Sequence, residues 1–363
     1  MFEHCYAVIM AGGGGTRLWP LSKKGSPKQM LKLFDQKTLF QIAVERLNGV
    51  FDPERIFVVT VADQAQELQS ECPQLPVENF ILEPQPRGTA SVVGLAAVVL
   101  QTIDPEAKMA VLTADHFIEN VALFKQTLTH ALSVADDGHL VTLGIHPTFP
   151  STGYGYIQRG EKLAQYGDFN VFRVEKFKEK PDLLTAEKIL ADGDHEWNSG
   201  MFIWRVDRIL AEFERLMPAL YASLAQIKEN WNTPDRYSVL EKTWTQIKPE
   251  TIDYGIMENA RDVVVLPENG LGWNDVGSWD SLFDVIQQDG AGNILFGDRI
   301  YQDGSSSSLI FSENREKLVV GLGISDLIVV DTGQALLICH RSQAQHIRDL
   351  VKQLKENGFG QYL

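Results

Sequence analysis

Apolar and polar positions come in blocks along the first half of the chain. Tyr6–Met10 is an unbroken apolar run, which predicts a strand buried on both faces. Arg55–Thr60, Met109–Thr113 and Leu140–Gly144 read the same way. Between them the apolar residues take helical spacing. Leu39, Phe40, Ala43, Val44 and Leu47 stripe one side of a helix over Thr38–Leu47, and Thr89–Gln101, rich in Ala, Val and Leu, predicts a buried helix. Strands separated by helices of this length imply an α/β fold: a Rossmann-like, mixed but mainly parallel sheet with helices on both faces. Ligands of such sheets sit beyond the carboxyl ends of the strands. The glycine run after Met10 and the acidic residue after Ala114 both fall at such ends.

The middle of the chain alternates less regularly. Phe169–Phe177 has strand periodicity, Gly200–Arg205 is an apolar strand, and helices are expected from Val206 to about Lys242, with Pro218 and Pro234 opening new ones. Val263–Leu266 is a further strand, and Ser278 is placed to cap a helix running to about Gln287. Beyond about residue 288 the pattern changes. Short apolar runs (Ile294–Phe296, Leu309–Phe311, Leu318–Val320, Leu327–Val330, Ala335–Cys339) recur every ~8–12 residues, a spacing of all-β modules. A final helix over Ser342–Asn357 carries Ile347, Leu350, Val351 and Leu354 as its apolar stripe, with Gly358 as its stop. This divides the chain into domains at 1–287 and 288–363.

The segment Ala11-Gly12-Gly13-Gly14-Gly15-Thr16-Arg17, directly after the first strand, has the character of a phosphate site. Glycines let backbone N–H groups approach an anion and allow the positive φ angles of a tight loop. Arg17 and Lys28 can supply the neutralising charge. The spacing matches neither of the commonest glycine loops. A P-loop needs Lys-Ser/Thr after its last glycine, and the dinucleotide fingerprint would need a third glycine where Arg17 stands. A plain strand-to-helix turn is the simpler alternative, but it gives Thr16-Arg17 and Pro27-Lys28-Gln29 no task.

Bulk properties narrow the partners. The chain has 363 residues, 44% hydrophobic and 22% charged, with a formal net charge of −15. That charge argues against nucleic acid or an anionic membrane as the main partner, though not against a locally basic nucleotide site. Cys5, Cys72 and Cys339 are odd in number, far apart and in no Cys-x-x-Cys, so a reducing, cytoplasmic setting is expected, without a disulfide framework or structural zinc. No secretory signal pattern opens the chain. No stretch reaches the roughly 18 consecutive apolar residues that a membrane-spanning helix needs, so no membrane association is expected.

With these pieces in place, the sequence resembles the sugar-1-phosphate nucleotidyltransferases, and within them the mannose-1-phosphate guanylyltransferases. The resemblance rests on the glycine loop through Leu18-Trp19-Pro20-Leu21-Ser22, then Pro27-Lys28-Gln29, Leu82-Glu83-Pro84 with Arg87-Gly88-Thr89-Ala90, and Thr113-Ala114-Asp115-His116. It continues through Gly144-Ile145, Thr152-Gly153-Tyr154-Gly155-Tyr156-Ile157, Glu179-Lys180-Pro181, Trp197-Asn198-Ser199-Gly200, Ile252-Asp253-Tyr254 and Asp275-Val276-Gly277-Ser278-Trp279. Trp19 and Lys28-Gln29 favour the mannose branch. Gly88, Ser91, Thr113 and Asn274 depart from residues common in relatives. Some relatives carry a phosphomannose isomerase domain after these motifs; none follows here, so one activity is expected.

The resemblance implies transfer of GMP from GTP to α-D-mannose 1-phosphate, giving GDP-mannose and pyrophosphate. The sugar phosphate is already an anion, so no general base is needed, and catalysis is positioning plus charge neutralisation. It implies Mg²⁺ held by Asp115 and Asp275; the alternatives are a helix cap for Asp115 and a turn residue for Asp275. Arg17 is expected on the β- and γ-phosphates and Lys28 on the α-phosphate or its leaving oxygen. Ala11, Gly12, Gly13, Gly14, Gly15 and Thr16 line the nucleotide, with Glu83, Arg87, Gly88 and Thr89 near guanine or ribose. Lys180 is expected on the sugar phosphate, and Glu179, Asn198, Gly153 and Tyr154 on the sugar; Trp197 fits core or site equally. The C-terminal module resembles the short left-handed β-helix through which relatives associate, implying a homodimer. Two alternatives stay open: another nucleoside triphosphate or sugar 1-phosphate, and a non-catalytic regulatory relative that binds a nucleotide sugar.

Overall fold

The computed structural model describes residues 3–13, 15–23, 25–34 and 36–363. The chain divides into two compact units, and it passes from one to the other inside the glycine run, between Gly12 and Gly13.

The first unit comprises residues 1–12, 43–114 and 120–271 and is built on a nine-stranded sheet. Its order is Phe80–Glu83, Ile56–Val61, Cys5–Met10, Lys108–Thr113, His195–Arg205, Leu140–Ile145, Val263–Glu268, Phe169–Lys178 and Tyr156–Tyr166. The first four run parallel, as do Leu140–Ile145 and Val263–Glu268; His195–Arg205 runs antiparallel between the two groups. The continuous apolar runs are explained by burial on both faces. Tyr6 and Val8 join the cluster under the helix Thr89–Ile103, while Ala7 and Ile9, pointing the other way, are also fully buried. Thr89–Ile103 is buried from Ala90 to Leu100 because the helices Val206–Leu216 and Pro218–Asn230 cover its outer side.

The second unit comprises residues 13–42, 115–119 and 272–363. Its β module has parallel ladders: Ile294 pairs with Leu309 and Leu309 with Ile328, so successive turns stack in the manner of a β-helix. These residues are buried with Leu18, Trp19, Val276 and Trp279 in one core. Trp279 Nε1 donates to the Trp19 carbonyl (3.0 Å), and Trp19 Nε1 to the Tyr362 carbonyl (2.9 Å). Both tryptophans are therefore packing residues.

Two predicted helices differ from the observed ones. In place of a helix from Ser278 to Gln287 there is a 3-10 helix, Asp280–Asp284, because Ser281 Oγ bonds back to the Ser278 backbone and competes with α geometry. The final helix splits into a 3-10 segment, Arg341–His346, and an α-helix, Ile347–Glu356; a hydrogen bond between the His340 side chain and Ser342 N tightens the entry. Gly358, at φ 84°, ends it as predicted. None of the described helices is long and apolar enough to cross a membrane.

Candidate active site

Arg17, Lys28, Asp115 and Asp275, four of the residues expected at the nucleotide phosphates and metal, fall in the second unit. Gly15, Thr16, Arg17, Lys28, Asp115 and Asp275 line one cavity of about 340 Å³, with His116, Gly277 and Arg348 in its wall. Lys28 is set by a 3-10 turn, Lys28–Met30, that begins after Pro27 and buries all three residues. Its Nζ donates to Asp115 Oδ2 (2.7 Å) and to the Asp275 carbonyl. One ammonium thus ties together two acidic residues far apart in sequence. Burial works to raise the Asp115 carboxyl, but the charges of Lys28 and His116 outweigh it and hold the group below the usual carboxylate range. Gly15 sits at φ 34°, and a Cβ there would meet the Lys28 Cβ at 2.6 Å, so only glycine lets the loop lie against Lys28. Gly14 lies outside the described residues.

Asp115 is not a helix cap. Phe117–Ile118 forms a short strand with Trp273–Asn274, and the next helix begins at Val121, capped by Asn120. That ribbon is why Asp115 and Asp275 face one cavity: each flanks one of its two strands. His116 is held beside it, its Nδ1 accepting from Trp273 Nε1 (3.2 Å). Asp275 is followed by Val276 at φ 47°, an outlier for a β-branched residue. Asn274 Oδ1 accepts from Val276 N (2.7 Å) and Asp275 Oδ1 from Gly277 N (3.0 Å), which holds the strained turn. This gives Asn274 a defined task. Among the described residues no group of three His, Cys, Asp or Glu gathers as a metal cage. Two carboxylate side chains in a cavity lined by a glycine loop do fit a hard cation that takes its remaining oxygens from phosphates and water.

The other predicted residues lie in the first unit. Gly12, just before the crossing point, faces Glu83; a Cβ there would stand 3.2 Å from Glu83 Oε1. Glu83 is 3% exposed and its Oε2 has no hydrogen-bond partner among the described residues. Burial pushes its carboxyl up to about 7, with the Arg87 backbone N–H opposing. Ala11, also buried, bonds through its N–H to the Val59 carbonyl (2.9 Å) and so is part of the sheet. Arg87 donates to the Thr245 carbonyl (2.9 Å), and Thr89 Oγ1 accepts from Ile252 N (2.9 Å), so both clamp neighbouring backbone. Gly88 has φ 83° and ψ 164°, a region open only to glycine. A Cβ there would overlap the Glu250 backbone, whose N and O bond the Arg87 carbonyl and the Ala90 N–H (both 3.2 Å).

A second cluster forms around Asn198. Its N–H donates to the Gly155 carbonyl (2.8 Å), its Nδ2 to Asp253 Oδ1 (2.7 Å), and its Oδ1 accepts from Gly200 N (3.0 Å). A Cβ on Gly155 would collide with the Glu179 carboxylate. Glu179 and Lys180 form an ion pair, and Lys180 takes φ 41° immediately before Pro181, where extended backbone is the rule. Burial, then the nearby Glu179 charge, raises the Asp253 carboxyl. Asp253 opens a five-residue π-helix, Asp253–Met257, a distortion frequent at functional sites. Sequence reasoning gave Asp253 and Gly155 no individual role; the π-turn that aims Asp253 at Asn198 has no sequence signal. Gly153 N–H donates to Ser151 Oγ (3.2 Å). Tyr154 packs on Trp197 with Phe149, ring centroids 5.0 and 4.8 Å from the indole; Trp197 is 4% exposed and Phe149 46%, so the indole is core and Phe149 offers an open ring.

Comparison with known proteins agrees with this geometry. The chain matches the nucleotidyl transferase family over residues 6–292 and the mannoseP isomerase/GMP-like beta-helix domain over residues 304–354. It is 39% identical over 362 residues to the mannose-1-phosphate guanylyltransferase ManC of Salmonella typhimurium, spanning 97% of this chain and 74% of that protein. Against the mannose-1-phosphate guanylyltransferase of Escherichia coli K12 it is 38% identical over 365 residues, with the same coverage of 97% and 74%. A crystal structure described as mannose-1-phosphate geranyltransferase from Thermus thermophilus matches with a TM-score of 0.86 at 32% identity, over 97% of this chain and 100% of that one. The chain belongs to the nucleotidyl transferase family, among the mannose-1-phosphate guanylyltransferases.

Proposed function

We propose that this chain transfers GMP from GTP to α-D-mannose 1-phosphate, releasing pyrophosphate. The observation that carries the reading is the single cavity in which Lys28 joins Asp115 and Asp275 beside the loop bearing Arg17. No nucleophile–base pair is required, because the attacking oxygen belongs to a phosphate. What the protein must supply is positioning and charge complementary to the in-line transition state at the α-phosphorus. Lys28, held by two acceptors, places an ammonium for the α-phosphate. Arg17 and the loop N–H groups take the β- and γ-phosphates.

Asp115 and Asp275 would hold Mg²⁺, which when bound supplies further neutralisation of phosphate charge. Glu83 can accept hydrogen bonds from the donor edge of guanine through Oε2, which has no partner among the described residues. Lys180 takes the sugar phosphate, and Glu179, Asn198, Gly153 and Tyr154 the sugar. Residues 1–287 form the catalytic domain and 288–363 the β-helix-like domain, which supports a homodimer. The setting is the cytoplasm, without nucleic acid or membrane as partner.

The test is direct. Purified chain is incubated with GTP, α-D-mannose 1-phosphate and Mg²⁺ and followed by phosphorus NMR. GDP-mannose and pyrophosphate should appear together and in equal amounts. GTP loss with release of inorganic phosphate, or no GDP-mannose, would overturn the reading.

A further inference from the structure

Arg348 stands outside every motif that marks the active site. It lies in the C-terminal helix Ile347–Glu356, within the β-helix-like domain. It nevertheless lines the same cavity as Arg17, Lys28, Asp115 and Asp275. Its position is fixed by packing: Ile347 is 2% exposed in the core, Leu350, Val351 and Leu354 pack against that core, and the helix lies on the turn Thr16–Leu18 that carries Arg17. Among the described residues Arg348 has no ion-pair or hydrogen-bond partner; the adjacent Asp349 pairs with Lys352 instead, at 3.7 Å. A cation in the first turn of a helix is also disfavoured by the helix dipole.

The charge balance of the cavity then points outward. Lys28 is already matched with Asp115. Arg17 and Arg348 are two guanidiniums lining one cavity without carboxylate partners among the described residues. Planar forks of this kind suit the oxygens of a polyphosphate, which two adjacent cations grip better than one.

We propose that Arg348 binds the β- and γ-phosphates of the incoming nucleoside triphosphate, and hence the pyrophosphate that leaves. The C-terminal domain thereby contributes a substrate-binding side chain to the phosphate cavity. This rests on the transfer reaction proposed above.

The test uses the full chain with Arg348→Ala, Arg348→Lys and, on the same helix, Lys352→Ala. Thermal melts establish that each variant is folded. The reaction is run forward with GTP varied and in reverse with pyrophosphate varied. Arg348→Ala should raise KM for GTP and for pyrophosphate about tenfold to a hundredfold, the loss of a charge-assisted contact. KM for mannose 1-phosphate and for GDP-mannose should stay unchanged. Arg348→Lys should recover part of the loss, and Lys352→Ala should behave as the parent. An unchanged KM for pyrophosphate in Arg348→Ala, or a shift confined to the sugar phosphate, would overturn the proposal. Calorimetric titration of tripolyphosphate separates it from the underlying reading. Equal binding by parent and Arg348→Ala refutes the Arg348 role, whereas a parent that binds tripolyphosphate through Arg348 but makes no GDP-mannose refutes the transfer reaction.

Discussion

Lys28 Nζ lies 2.7 Å from Asp115 Oδ2, across 87 positions of sequence, and the same ammonium reaches the backbone carbonyl of Asp275. Removing it should leave Asp115 without its main counter-charge and the α-phosphate without a cation. Lys28→Ala is expected to lower kcat about 10²–10³-fold. Asp115→Asn and Asp275→Asn should each lower kcat similarly while GTP still binds, as judged by equilibrium dialysis. Full Mg²⁺-dependent turnover in either aspartate variant would remove their assignment to the metal.

The Asn198–Asp253 pair makes a prediction for the sugar. Lys180→Ala should act mainly on KM for mannose 1-phosphate. Asp253→Asn, which replaces the acceptor of Asn198 Nδ2, should raise the same KM about tenfold with little change in that for GTP. Steady-state kinetics with each substrate varied in turn distinguishes this from a general loss of activity.

Glu83 predicts a pH dependence. Its carboxyl is pushed up to about 7 by burial, so below that pH the free protein holds it neutral. The ionised form is the better acceptor for guanine N–H groups. GTP binding should therefore tighten as pH rises from about 6 to about 8, and Glu83→Gln should flatten that profile. Titrations with GTP and ATP in parallel check it: the pH effect should be confined to GTP.

Gly88 predicts a stability effect. At φ 83° and ψ 164°, with the Glu250 backbone where a Cβ would go, Gly88→Ala should destabilise the fold by about 2–3 kcal/mol. Gly88→Asn should do no better. Urea unfolding measures both.

Much of this was legible in the sequence, for reasons that differ by region. The central strands announce themselves because both faces are buried, so Tyr6–Met10 and Met109–Thr113 are continuously apolar. The β module is visible through its short recurring runs, since Ile294, Leu309 and Ile328 stack into one core. The strand Tyr156–Tyr166 is not legible, because most of it is partly exposed and register shifts interrupt its pairing with Phe169–Lys178. The acidic pair Asp115 and Asp275 could be picked out by motif, but the strand ribbon Phe117–Ile118 with Trp273–Asn274 that brings them to one cavity could not. Asp253 and Arg348 escape for a related reason. Their neighbours are set by a π-turn and by helix docking, neither of which leaves a local pattern.

The transfer reaction is tested by pyrophosphate release across a matrix of nucleoside triphosphates and sugar 1-phosphates with Mg²⁺ present. GTP with α-D-mannose 1-phosphate should give the highest kcat/KM, and Lys28→Ala should abolish most of it. Faster turnover with UTP or dTTP and glucose 1-phosphate, or no pyrophosphate from any pair, would contradict it.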